Sequence, residues 1–224
     1  MRTVLRVFGE CCVTAGAIVL LFLAYLVWGT ALATSAHQHA FATQLQRQWQ
    51  THRDVRPATT RLHLVTGQPF AFIRIPRFGG SWRFAIVQGT GLAQLALGPG
   101  HVPGTALPGQ VGNFAVAAHR VTAGNPFLHL NELRPGDKVM IITAATRYTY
   151  LVTHTELVLP GDTAVLDPVP GRPHQSPLEA MITLITCDPP WTGTHRIIVS
   201  GSLDAQTPRS VLYRPITVSA RALS

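Results

Sequence analysis

From Cys11 to Ala33 the chain reads CCVTAGAIVLLFLAYLVWGTALA, 23 residues with no charged side chain. As a helix rising about 1.5 Å per residue, this run measures about 35 Å, enough to cross a hydrocarbon core of about 30 Å. It therefore reads as one transmembrane helix, residues 11–33. Tyr25 and Trp28 lie toward its end, where amphipathic rings favour the membrane interface. Arg2 and Arg6 precede it, which places residues 1–10 in the cytoplasm and everything after the span outside the cell. A cleaved signal peptide is the alternative, because Ala31-Leu32-Ala33 fits an A-x-A cleavage site. The apolar run exceeds the usual secretory core of about 7–15 residues, which favours an uncleaved signal-anchor.

The charge decides what the remainder is not. The formal net charge is +8, with 18 Lys+Arg against 10 Asp+Glu. Only +2 of it falls in residues 61–204; the rest sits at the two ends. No stretch interleaves several basic residues with aromatics, so the chain lacks the electrostatic footprint of a nucleic-acid binder. With 46% hydrophobic residues and 12% charged, it is not a disordered chain. Residues 34–67 are largely rich in Gln, His, Thr and Arg and read as a polar extracytoplasmic stalk. A short helix over 40–50, with Phe41, Leu45 and Trp49 at i, i+4 and i+8, is the competing reading there. His37 and His39 have no further metal ligand nearby in the sequence, and no metal or other cofactor is expected.

Beyond Gln68 short apolar runs alternate with Gly and Pro. Strands are predicted at 70–75, 83–88, 113–118, 138–143, 148–159, 181–186 and 196–201. Short helices are predicted at 90–97 and 126–133, the second capped by Asn125, and a turn at 134–137. Many short strands with few helices indicate a mainly β barrel or sandwich over 68–204. The connection 160–180 carries five prolines, and a loop of this length inside a compact domain is commonly functional. Residues 205–224 form a basic tail with three Arg and no acid.

Of the three cysteines, Cys11 and Cys12 belong to the apolar run, which leaves Cys187 as a lone thiol. It ends the strand MITLIT and precedes Asp188-Pro189-Pro190, which cannot continue a central strand. His119 ends another apolar strand, NFAVAA. Arg196 opens the strand after Cys187, where a strand–turn–strand excursion returns it beside the thiol. A thiol, an imidazole for proton transfer and a guanidinium for an oxyanion make an acyl-transfer set.

The run GNFAVAAHR (112–120), then TLITC (183–187), then Arg196, in that order and spacing, resembles sortases. These are membrane-anchored cysteine transpeptidases of Gram-positive bacteria. PGDKV (135–139) and LDPVPGRP (166–173) make the likeness strongest to the class E type of actinobacteria. The resemblance implies an eight-stranded β-barrel. It implies Cys187 as nucleophile on the Thr–Gly bond of a C-terminal LPxTG- or LAxTG-like sorting signal, His119 as general acid/base and Arg196 as oxyanion stabiliser. It implies a thioester resolved by an amine of a peptidoglycan precursor. Ala123, Val165, Leu166 and Asp188 are the substrate-groove candidates it adds. Two positions depart from the pattern: Ala123 stands where class E chains often carry Tyr, and Asp188 adds a carboxylate beside the thiol, opposing thiolate formation unless it pairs with Arg120 or Arg196. A non-catalytic barrel that binds sorting-signal or wall peptides, and a different thiol hydrolase, are the other readings.

Overall fold

The computed structural model describes residues 2–25, 29–51 and 64–209. Helix α1 (Arg2–Ala24) is followed by α2 (Thr30–Thr51). Then come β1 (Pro69–Arg74), β2 (Phe84–Gln88), a short α3 (Leu92–Leu95), β3 (Gly100–His101), β4 (Gly112–Ala117), β5 (Lys138–Ile142), β6 (Thr146–Val158), β7 (Ala180–Asp188) and β8 (His195–Pro208). The eight strands close into one barrel in the order β1-β2-β3-β4-β7-β8-β6-β5.

Two pairings in the barrel are parallel, β2 with β3 and β4 with β7. Strands buried on both faces need continuous apolar runs rather than alternation. Strand β4 meets that need with Phe114, Ala115 and Val116, all inaccessible to solvent, and β7 with Ile182 and Leu184. The interior is filled by Phe114, Phe127, Tyr150, Ile73, Ile86 and their neighbours. Inside the barrel the Tyr150 hydroxyl accepts from the Gly109 amide at 2.8 Å, and burial pushes that phenol up to about 12. His101 is almost fully buried, with Gln88, Thr105 and the Ala106 carbonyl around its two ring nitrogens. It is a packing histidine.

Seven of the eight strands lie where the apolar runs place them, within two residues at most boundaries. Strand β7 gains Cys187 and Asp188, and β8 runs on to Pro208, into the first residues of the basic tail. The rest of that tail, 210–224, lies outside the described residues. Strand β3 has only two residues and no apolar run to announce it. It exists because Gly100 lets its backbone pass against Gly89; an added Cβ would collide with the Gly89 carbonyl oxygen. The turn at 134–137 forms, closed by Arg134 and Asp137 in both directions. The helix expected over 126–133 is instead a turn and a 3₁₀ segment, Leu130–Glu132. Phe127, Leu130 and Leu133 are all buried at a spacing of three, the 3₁₀ repeat. Asn125 sits at φ 53° and does not act as the cap.

The N-terminal region differs most from expectation. Helix α1 is already helical at Arg2, and Arg2–Leu23 is long and apolar enough to cross a membrane, with none of it buried. The last residues of the 11–33 run open α2 instead. Trp28 lies outside the described residues. The reading of 34–51 as a solvated stalk is corrected: these residues form α2, and α2 packs on the barrel. Its Leu45 is 1% exposed and clusters with Phe72 and Ala85, flanked by Phe41 and Trp49. The Trp49 ring meets Phe72 edge-on at 5.4 Å. Gln38 donates to the Ala85 and Leu97 carbonyls and accepts from the Ala85 amide. The competing reading, a helix over 40–50 with Phe41, Leu45 and Trp49 on one face, is the one that forms, and the polar average of the segment hid the side chains that bond to the barrel's backbone. Residues 52–63 of the expected stalk lie outside the described residues.

Leu45→Ala removes the centre of this contact. A loss of about 2–4 kcal/mol is expected, read as a lower denaturant midpoint for the full-length protein in detergent. An unchanged midpoint would mean that α2 does not stabilise the barrel.

Candidate active site

The site is built by the ends of β4, β7 and β8. Strand β4 runs parallel to β7 with one constant offset, from Gly112 opposite Ala180 to Ala117 opposite Ile185. The pairing continues past the strand: the Ala118 amide donates to the Ile185 carbonyl at 3.1 Å, and Thr186 Oγ1 donates to the Ala118 carbonyl at 2.9 Å. His119 is the next residue after this last cross-link, and in the same numbering offset it corresponds to Cys187. Strand β8 is antiparallel to β7, with Arg196 directly opposite Cys187. Cross-strand partners project to the same face of a sheet, so thiol and guanidinium emerge together.

Gly193, at φ 60°, closes the gap between them. A methyl group there would lie 3.5 Å from Arg196 Nη1 and 3.6 Å from Cys187 Sγ. The space it would fill is therefore shared by both functional groups. Arg196 Nη1 donates to the carbonyls of Gly193 at 2.7 Å and His195 at 2.9 Å, which holds the guanidinium in place without a carboxylate. Cys187, Arg196 and His119 are all half-buried, accessible but partly shielded from water. Burial lowers the His119 pKa below the ordinary histidine value, which favours the neutral ring.

Asp188 does not face the thiol. Successive strand residues point to opposite sides, which turns its carboxylate away from Cys187. There it forms a short charge-assisted bond with Arg120 Nη1. Arg120 is 9% exposed; it also donates to the Asn131 side chain at 3.1 Å and to the Cys187 carbonyl at 3.4 Å. One buried cation thus neutralises the carboxylate next to the thiol and grips the thiol's own backbone. Gly193 and Asn131 carried no sequence signal. Arg120 did, as the residue after His119 and one of two named partners for Asp188.

The other groove candidates lie elsewhere. Ala123 is buried at φ 53° in a tight turn with Gly124, and Gly124 faces Thr34 of α2 and Phe84. Val165 and Leu166 belong to a 3₁₀ turn, Ala164–Leu166, in the β6–β7 connection. Asn113 holds that turn by donating to the Val165 and Asp167 carbonyls, and itself accepts from Thr183. These anchors sit near the starts of β4 and β7, away from His119 and Cys187. Asn113 is a buried structural residue that the apolar reading of its strand overlooked.

Comparison with known proteins places this geometry in context. The family described as Sortase domain matches residues 73–204. Sortase SrtE1 of Streptomyces coelicolor is 32% identical over 92% of this chain, which spans 58% of that relative's length. Among solved structures, sortase E from Streptomyces avermitilis shares 40% identity over 68% of this chain and 97% of its own, with a TM-score of 0.60. Sortase E1 from Streptomyces coelicolor, solved with a tripeptide in its active site, shares 33% identity over 68% of this chain and 98% of its own, with a TM-score of 0.59.

Arg120→Gln unmasks the Asp188 carboxylate. Alkylation of Cys187 by iodoacetamide at neutral pH, followed by peptide mass spectrometry, is expected to slow roughly 3–10-fold, as a newly uncompensated neighbouring charge requires. Arg120→Gln combined with Asp188→Asn is expected to restore the rate. Equal slowing in both variants would show that Arg120 acts by packing alone.

Proposed function

The chain belongs to the sortase family, and on that premise we propose that it is a membrane-anchored cysteine transpeptidase with Cys187, His119 and Arg196 as its catalytic residues. The observation that supports this most directly is the double register, which sets Arg196 opposite Cys187 and carries the β4–β7 pairing up to Ala118, the residue before His119.

Cys187 Sγ attacks the carbonyl carbon of the Thr–Gly bond in a C-terminal LPxTG- or LAxTG-like sorting signal. The neutral His119 takes the thiol proton as the C–S bond forms. The carbonyl oxygen gains the negative charge, and Arg196 stabilises it with N–H groups that its backbone bonds leave free. Collapse of this intermediate breaks the C–N bond, and His119 returns the proton to the departing glycine amine. The acyl group remains on Cys187 as a thioester. An amine of a peptidoglycan precursor then attacks it and gives its proton to His119, and Cys187 leaves as the thiol. The substrate protein ends joined to the precursor.

Ala123, Val165, Leu166 and Asp188 remain the proposed contributors to signal recognition. For Val165 and Leu166 this requires that the β6–β7 connection extends from its Asn113 anchor over the end of the barrel. Helix α1 holds the enzyme at the cell membrane as an uncleaved single-pass anchor, with the barrel on the extracytoplasmic side.

The test is transfer from LAxTG and LPxTG peptides to an amine, with the Cys187 acyl adduct followed by mass. Cys187→Ala is expected to abolish adduct and product. Arg196→Gln is expected to lower kcat/KM by roughly 10²–10³-fold, the scale of a lost oxyanion donor. Activity falls as pH drops below the ordinary histidine range, because a protonated His119 no longer accepts the thiol proton; its lowered pKa displaces this acid limb downward. Peptide binding without adduct or turnover would instead make the barrel a non-catalytic receptor. Release by water with no dependence on the amine would make it a hydrolase.

A further inference from the structure

A sizeable cavity lies away from the thiol, with neither Cys187 nor His119 in its lining. It is an open groove of about 740 Å³ between α2 and the outer face of β1, β2 and β5. Ser35 and His39 line it from the helix; Arg74, Ser81 and Arg83 line it from the barrel. No acidic residue lines it, and neither arginine forms an ion pair among the described residues. Arg83 lies over the Phe72 ring, its guanidinium carbon 4.5 Å from the ring centre, which orients the planar donor set. Arg74 Nη2 reaches only the Gly80 carbonyl at 3.2 Å, and its Nε is buried without a partner. Two guanidinium groups with hydroxyl and imidazole donors around one groove suit a phosphate oxyanion.

The position of the groove supplies the source of that phosphate. Ser35 is 11 residues beyond the end of α1. That separation is about 16 Å if helical throughout and at most about 40 Å if extended. The groove therefore lies within reach of the headgroup layer of a membrane crossed by α1. Anionic headgroups attract basic residues near the surface.

We propose that this groove binds the phosphate of an anionic phospholipid headgroup, seating the barrel on the membrane that α1 crosses. The proposal rests on the anchor reading of α1 and not on the transpeptidase reading.

The test uses the full-length protein in nanodiscs of phosphatidylcholine with or without phosphatidylglycerol, released for native mass spectrometry. Wild type is expected to retain one phosphatidylglycerol in preference to phosphatidylcholine. Retention is expected to fall roughly tenfold or more in R74Q/R83Q and to survive partly in R74K/R83K, which keeps both charges. Inorganic phosphate is titrated separately into detergent-solubilised protein. Equal phosphatidylglycerol retention by wild type and R74Q/R83Q would overturn the proposal, since the lipid would then be bound around α1. Phosphate binding that R74Q/R83Q removes, with no lipid preference in wild type, would overturn the lipid source. Thermal midpoints of the variants establish that each is folded. Peptide transfer in detergent is expected to be unchanged in R74Q/R83Q, so failure of lipid binding and failure of the enzymatic reading are read separately.

Discussion

The parallel pairing of β4 with β7 is the constraint on which the site depends. Parallel strands cannot be joined by a tight turn, so the chain between them must leave and return. Here it builds β5, β6 and the long proline-rich connection before β7 enters beside β4. The register of that entry is held from both ends. Asn113 and Thr183 bond to each other near the strand starts, and Thr186 bonds the Ala118 carbonyl near the finish. A slip of one residue would turn Cys187 to the opposite face and would also break these buried polar contacts. The same bonds that satisfy buried side chains thus fix the register at which β4, with His119 two residues past its end, lies beside β7.

Charge near the thiol is arranged by the same alternation. Cys187 and Arg196 share one face, whereas Asp188 is turned to the other and held by Arg120. An unpaired carboxylate adjacent to a nucleophilic thiol would oppose its ionisation. A buried Arg120 without Asp188 would be an uncompensated charge. Each residue removes the problem the other creates, and Asn131 and the Cys187 carbonyl take further donors of the guanidinium. Helix α2 performs a comparable task at the other side of the barrel. It covers Phe72 and Ala85, and its Gln38 bonds the Ala85 amide and carbonyl of β2. Its Ser35, which lines the groove holding Arg74 and Arg83, is 11 residues along the chain from the end of α1.

Much of this was legible in the residues. Seven strands announced themselves because a buried strand needs a run of apolar side chains. The lone thiol at a strand end, with an imidazole at another, pointed to acyl transfer. What escaped notice had weak or averaged signals. Strand β3 is two residues enabled by a close backbone approach. Of helix α2 the stripe Phe41, Leu45 and Trp49 was visible as the lesser reading, but Gln, His and Thr around it concealed its extent and its docking on the barrel. The 3₁₀ segment after β4 was mistaken for a helix because a spacing of three and one of three-and-four are alike over eight residues. Asn113 and Gly193 act through position alone.

The sequence by itself determined the local quantities. These are an apolar helix long enough for a bilayer, the alternation and burial of the strands, and the identity of the chemical groups at their ends. Each follows from side chains within a few residues of one another. Only the tertiary structure decided which ends meet. The opposition of Arg196 to Cys187, the capture of Asp188 by Arg120 and the docking of α2 over Phe72 all join residues that are distant in the chain or set by register. Such contacts depend on the closure of the barrel. A one-residue change in register would leave every local pattern intact and dismantle the site.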